Sequence, residues 1–439
     1  MGTTGGRWAA AVSTGGAMAA GDGIGNLTDY LLWRGDVGLG ERPLTEVDAL
    51  VLATLSYVDL LGVVPSEAEG GSVTVARALG NLLEQSGGDV APYVRSLATI
   101  DVRYLRALAA SRRFGELPVG SYVDVMDPAR SVQFAALEVG LPAGALGGSP
   151  SAARYVSYRG TDLTLAGWRE DFMLSFEVTG AQLLARDYLA RALGRAARSD
   201  AAVLVGGHSK GGNLASYAVA NVPADLAKHV LRCYAFDAPS VDARVASRDA
   251  RDVLGDGYVR IQPEYSVIGQ LFDRPDEPRS YVRSFGTGLM QHDPLSWQAT
   301  ACSLVRAPGL DPDARAFGEA LDDWMSPVGP DDRRRFTQEL FDILGAGGPL
   351  LSDVTSLEGL PKVVSAANAA SEKNKRLALN LVGSVVSKQV GRTQAAVRGA
   401  YADAVRAARQ VARQAAAGAA EGLAGALPRR READARAEG

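Results

Sequence analysis

Apolar residues recur along this chain with two periods, and the alternation between them sets the expected architecture. Thr45-Glu46-Val47-Asp48 reads as a capping box opening a helix, with Val47, Leu50, Val51, Thr54, Leu55 and Val58 at three- and four-residue spacing, a face expected to pack on a core. From about residue 118 to 292, short β-rich runs alternate with helical stretches, as in a largely parallel sheet covered by helices on both faces. Arg154 to Arg159 reads as a strand ending in Gly160. Ala181 to Arg198 reads as an amphipathic helix with Leu184, Tyr188, Leu189, Ala192, Leu193 and Ala196 inward and Arg191, Arg195 and Arg198 outward. A buried strand at Ala201 to Val205 follows, then a helix from near Lys210, and strands at Leu231 to Phe236, Tyr258 to Ile261 and Tyr281 to Phe285. The stretch from Pro128 to Ala153 reads as an apolar helix followed by a Gly- and Pro-rich run, a candidate lid.

Beyond about 306 the pattern is helical, with Pro-Gly-Asp joints at 307 to 313 and 326 to 332. From Lys373 the composition shifts to Ala, Val, Arg and Gln. Val390, Gln394, Val397, Tyr401, Val405, Ala408 and Ala412 share one helical face there, while Lys388, Arg392, Arg398, Arg406, Arg409 and Arg413 stand against the single acid Asp403. The expected organisation is a flexible tail at 1–22, an α/β domain at 23–305, a helical continuation packed on it at 306–362, Ala- and Arg-rich amphipathic helices at 363–427 and a charged tail at 428–439.

The 439 residues are 47% hydrophobic and 22% charged, which excludes a chain disordered throughout, a collagen and a plain coiled coil. A net charge of −4 provides no whole-chain cationic field to recruit nucleic acid. Cys233 and Cys302 cannot form a disulfide framework, and without a CxxC or Cys/His cluster there is no zinc site to argue for, so a reducing cytoplasm fits best. The first 22 residues lack the compact apolar run of a signal peptide, although export by a specialised machine would leave no such mark. The most apolar segment, Ala49 to Val58, is stopped by Asp48 and Asp59 and falls far short of the roughly 20 residues needed to cross a bilayer.

The chemistry concentrates at Gly207-His208-Ser209-Lys210-Gly211, a G-x-S-x-G after an apolar strand and before a helix. A strand-to-helix turn that tight forces the serine into a strained backbone, tolerable only where the flanking residues lack bulk, and holds its hydroxyl exposed. The helix that starts there aims its dipole and the Lys210 N–H at the place where an oxyanion would form. The same glycines fail as a P-loop, since Gly212 and Asn213 follow where Lys and Ser/Thr are needed, and no dinucleotide fingerprint is complete, so no cofactor is expected.

A serine nucleophile needs a base, and there are three histidines. The side chain of His208 leaves the turn in another direction from that of Ser209; His229 falls at the far end of the sheet. His292, after the last predicted strand, is in the position that the serine, acid, histidine order of α/β hydrolases requires. For the acid, Asp237, Glu264 and Asp273 are candidates; position favours Glu264, after the second strand beyond the turn, while Asp237 ends the first and could satisfy turn amides.

The segments VSYRGTDLTLAGWREDF, GGHSKGGNLASYA, YAFDAPS and QHDPLSWQ resemble the class 3 lipases, and more closely a bacterial branch of lipase-like α/β hydrolases, over about 26 to 340. The resemblance implies an α/β-hydrolase fold and an oxyanion hole formed by Thr161, in Arg159-Gly160-Thr161, with the Lys210 amide. It departs from the family at Lys210, where an apolar residue is usual, and at Ser266, where the usual D-x-V-P acid motif reads S-V-I-G. Trp168, Glu170 and Asp171, in a G-W-x-E-D-F pattern, read first as a structural turn and second as the rim of a substrate site.

The expected function is that of a lipase- or esterase-type serine hydrolase acting on a small-molecule or lipid ester, through Ser209, His292 and Glu264 with Thr161 and Lys210 at the oxyanion. A cation at Lys210 would favour an anionic substrate. The alternative is a catalytically degenerate scaffold, which a carboxylate in reach of His292 would argue against. Peripheral membrane contact through the basic C-terminal helix is a further reading, with a solvated helix packed on the hydrolase the plainer account.

Overall fold

The computed structural model describes residues 23–370 apart from 97, 128–131, 162–164, 175–176, 243–244, 247, 273, 275–276, 326–328, 349–350, 355 and 357. Eight strands form one sheet in sequence order: β1 (Ser72–Thr74), β2 (Pro118–Asp127), β3 (Val132–Leu141), β4 (Ala153–Tyr158), β5 (Ala202–His208), β6 (Val230–Phe236), β7 (Tyr258–Pro263) and β8 (Ser280–Val282). The first four pair antiparallel and β4 through β8 pair parallel. Four helices precede the parallel half: α1 (Leu27–Arg34), α2 (Glu46–Leu55), α3 (Val75–Gln85) and α4 (Val102–Ala110). Five are interleaved with it: α5 (Leu165–Met173), α6 (Gly180–Ala197), α7 (Lys210–Asn221), α8 (Ala224–Ala227) and α9 (Ala250–Leu254). Among the described residues four follow: α10 (Pro312–Met325), α11 (Pro330–Gly345), α12 (Leu351–Val354) and α13 (Gly359–Ala369).

The period of two along the strands divides the core into two layers. Tyr155, Leu204, Tyr234 and Phe236 face α2 and the N-terminal helices, while Val156, Tyr158, Val203, Val205 and Cys233 face α6 and α7. A parallel strand covered on both faces has no solvent side, which is why the run from Val203 to Val205 is uninterrupted by polar residues. The capping box at Thr45 and Asp48 opens α2, whose residues Val47 to Leu55 are all buried. Tyr155 Oη and Ser157 Oγ donate to the α2 carbonyls of Ala49 and Leu52 at 2.9 and 3.0 Å, seating the helix on the sheet.

This α/β architecture is the expected one, with one clear correction. Val132–Leu141, within the stretch read as an apolar helix and candidate lid, is the strand β3, paired along both edges in the middle of the sheet. Ala, Leu and Phe at short range suit either conformation; the neighbouring strands decide. The expected boundary after residue 362 falls inside α13. The chain divides into two compact units, 1–382 and 383–439, and the whole of the second, with the basic stretch 388–413, lies outside the described residues, as does the 1–22 tail. Among the described residues no helix is long and apolar enough to cross a membrane.

Candidate active site

Three parallel strands end at one edge of the sheet and each delivers a part of the site. β5 runs into Ser209, which adopts φ 59° and ψ −134° before α7 begins at Lys210. A non-glycine residue in that region is strained and persists only where its surroundings hold it. The glycines around it show how: a Cβ on Gly207 would lie 2.3 Å from the Gly211 carbonyl carbon, and one on Gly211 would lie 2.2 Å from the Tyr158 oxygen. The turn is closed so tightly against the end of β4 that side chains there would push it open. Although Ser209 is the N-cap residue of α7, its side chain makes no capping bond; the hydroxyl instead faces His292, with Oγ 3.0 Å from Nε2.

The other ring nitrogen of His292, Nδ1, lies 2.6 Å from Oδ2 of Asp237. Asp237 follows β6, adjacent to β5, and its own backbone is left-handed with φ 40°, a conformation that Asp tolerates better than most residues. Its carboxylate is fully buried. Oδ1 accepts hydrogen bonds from Ser266 Oγ and from the Gly269 N–H at 3.2 Å, both in the loop after β7. Gly269 is needed for that approach, because a Cβ there would meet Oδ1 at 2.6 Å. The buried Arg260 guanidinium donates to the Ala238 carbonyl at 3.0 Å and to the Gly269 carbonyl at 2.5 Å, tying the loop after β7 to the chain beyond Asp237.

The carboxylate on His292 is therefore Asp237, which corrects the choice of Glu264. Glu264 is half-buried at the end of β7, where its backbone N–H bonds to Val282 and its carbonyl accepts from Asp311. Counting strands from the turn favoured Glu264, but a count does not say which acid turns inward. The legible signal was Tyr234-Ala235-Phe236-Asp237-Ala238-Pro239-Ser240, an acid followed by small residues directly after the buried strand next to β5. Asp273 lies outside the described residues.

His292 is the last residue of a short 3-10 helix, Gly288–His292, and its neighbours hold it. Gln291 accepts from the Tyr265 N–H at 2.9 Å through its side chain and from Trp297 Nε1 at 2.7 Å through its carbonyl. Asp293 accepts from Thr99 Oγ1 at 2.6 Å and from the Leu295 N–H at 3.0 Å, and burial raises its pKa. His208, from the turn itself, is buried beside His292 with ring centroids 4.6 Å apart, and its Nδ1 lies 2.7 Å from Tyr57 Oη. Burial first, and the neighbouring His292 second, push its pKa well below the usual value. His208 thus stays neutral beside His292. His229 lies at the opposite end of the sheet, where its carbonyl accepts from Val203.

Thr161 follows Gly160, on which a Cβ would lie 2.6 Å from the His208 oxygen, so the chain enters Thr161 beside the turn. The Lys210 N–H is the first amide of α7, and the first amide of a helix has no acceptor one turn back within it. The Lys210 ammonium, in contrast, is buried and bonded to Glu170 Oε2 at 2.8 Å and to the Gln133 carbonyl at 3.1 Å. A cation held in this way does not select an anionic substrate, which corrects that expectation. Glu170 lies on α5 with Trp168 and Asp171, so the G-W-x-E-D-F pattern is helical rather than a turn. His208, Asp237 and His292 offer atoms within 4.8 Å of one another, but the Asp237 and His292 atoms are already joined by a hydrogen bond that orients the imidazole, a donor set suited to proton transfer.

The crystal structure of M37 lipase is similar to the chain at 17% identity and a TM-score of 0.31, over 51% of this chain and 67% of that one, a likeness too low to carry an argument. No curated protein matches the chain. The model of the Mbeg1-like family matches residues 108–342, more than half of the sequence and the whole span from β3 to the Asp237–His292 pair. The chain belongs to the Mbeg1-like family, a lipase-like family.

Proposed function

We propose that this protein is a serine hydrolase of carboxylic esters in which Ser209 is the nucleophile, His292 the general base and Asp237 the orienting acid. The observation that carries the reading is the continuous chain from Ser209 Oγ to His292 Nε2 at 3.0 Å and from His292 Nδ1 to Asp237 at 2.6 Å, starting at a strained turn. A serine alone is a weak nucleophile, and a base within hydrogen-bond reach that is itself oriented by a third group is what activates it.

In the first step Ser209 Oγ attacks the ester carbonyl as its proton passes to His292 Nε2. Asp237 holds Nδ1–H and stabilises the imidazolium. The carbonyl electrons move onto oxygen, where the Lys210 N–H, the α7 dipole and Thr161 would stabilise the charge. Collapse expels the alkoxide, which takes the proton from His292. Water then repeats the sequence on the acyl-serine and frees the acid. His208 helps by remaining neutral: a second cation 4.6 Å from the imidazolium would oppose its formation.

The Asp237 carboxylate at His292 supports the hydrolase reading over the degenerate scaffold. A reducing, cytoplasmic setting is part of the proposal; the free Cys233 and Cys302 support it. Membrane contact through 388–413 rests on the charge pattern alone. The test is reaction of the purified protein with a fluorophosphonate, in which a Ser209 Oγ–P bond replaces P–F and fluoride leaves, beside hydrolysis of short p-nitrophenyl esters. Labelling and turnover that vanish in Ser209→Ala and His292→Ala are the expected result; a folded wild type that takes no label would sink the reading.

A further inference from the structure

The residue after Ser209 is a lysine whose side chain is 1% exposed and is paired with Glu170, 5% exposed. Burying an ammonium and a carboxylate costs both their hydration, and replacing such a pair with apolar side chains is often neutral or stabilising. Stability alone therefore does not account for a charge here. What the pair does in space is join three pieces at the active-site edge: the first residue of α7, the start of β3 through the Gln133 carbonyl, and α5. α5 begins at Leu165, four residues after Thr161. Of the two groups proposed for the oxyanion, the Lys210 N–H thus stands on a helix that the ion pair ties to α5, the element that follows Thr161 in the chain. On its other side α5 is held to α11, by Arg169 to Gln338 at 3.3 Å and by Glu177, just beyond α5, to Arg334 at 2.6 Å.

We propose that Glu170 is a positioning residue for the oxyanion hole: by holding the Lys210 side chain it fixes the N-terminus of α7 against the segment that carries Thr161, and so sets the separation of the two donors. The proposal rests on the serine-hydrolase reading. Donors aimed at a developing charge stabilise the transition state more than bound substrate, so loosening them lowers kcat and leaves KM nearly unchanged.

The test compares the full-length wild type with Glu170→Gln and with the double variant Glu170→Met/Lys210→Met, using p-nitrophenyl butyrate. Sites are counted by fluorophosphonate labelling to completion, so that kcat is expressed per reactive serine and a misfolded fraction drops out. Glu170→Gln is expected to lower kcat per site about 10- to 100-fold with KM within about 2-fold, the scale of a small misplacement. The double variant, which strands no charge, is expected to melt near the wild type while its kcat per site stays low; it carries the test alone if Glu170→Gln does not fold. Wild-type kcat per site in Glu170→Gln, or recovery of kcat together with the melting temperature in the double variant, would overturn the proposal and leave the pair a packing device. Absence of labelling in the wild type is a different result: it removes the hydrolase reading and this proposal with it.

Discussion

Asp48 and Asp237 are both buried carboxylates bonded to a nitrogen-bearing side chain, and their networks end in different ways. Asp48, in the N-terminal helical layer, accepts from Arg113 Nε and Nη2 at 2.6 Å each, from Tyr30 Oη at 2.6 Å and from the Thr45 N–H at 2.7 Å. Arg113 gives its remaining donors to the carbonyls of Val37, Arg42 and Pro43. Both side chains are wholly buried, and every bond ends on a group that is itself fixed. Asp237 is just as buried, yet its line of bonds runs through a histidine that is 12% exposed and stops at the hydroxyl of Ser209. A closed network holds two elements together. An open one leaves a proton able to move, and the strain at Ser209 is the counterpart of leaving it open.

The comparison can be broken most severely at its open end. Ser209→Ala is expected to lower ester turnover by about 10⁶-fold if the three residues act as a unit, measured with p-nitrophenyl esters, with little change in melting temperature. Asp237→Asn should keep the fold but lower kcat about 10⁴-fold, because an amide can present the wrong face to His292 and favour the wrong tautomer. At the closed end the effects exchange places. Arg113→Met leaves Asp48 charged, buried and short of two donors, and should cost about 3–5 kcal/mol in urea unfolding, while kcat per titrated site remains that of the wild type.

A finer distinction comes from pH. The pKa of His208 is depressed in the folded protein, so below the unfolded value the unfolded chain binds more protons and stability falls with falling pH. Relative to His208→Gln, the wild type should lose about 1 kcal/mol of unfolding free energy between pH 6.5 and 5.5, read by urea titration at each pH. The smallest effect separates the two acids of the candidate site: Glu264→Gln should change kcat by less than about 2-fold, since removing an exposed or half-buried side chain away from the reacting groups is close to neutral. A large loss there with Asp237→Asn active would reverse their roles.

The tie at Glu170 shows why the same residue type reads differently in one dimension and in three. Along the chain Lys210 is a cation beside a nucleophile, and an anionic substrate follows naturally. In the fold its ammonium turns toward α5 and β3 and is neutralised there.

The sequence by itself determined the local pieces. The capping box at Thr45 and Asp48, the apolar run before Gly207, the glycines on both sides of Ser209 and the succession of strands and helices along the chain from β4 to β8 all follow from short-range sterics and from the period of burial, which neighbouring residues carry between them. Only the tertiary structure decided that Val132–Leu141 is a strand, since its partners are β2 and β4 and its composition suits a helix as well. Only the tertiary structure decided that Asp237 rather than Glu264 meets His292. That choice depends on a left-handed turn at Asp237 and on Ser266 and Gly269, some thirty residues away, closing around one carboxylate oxygen. Contacts of that range are fixed by how strands lie side by side, and no local pattern of residues records them.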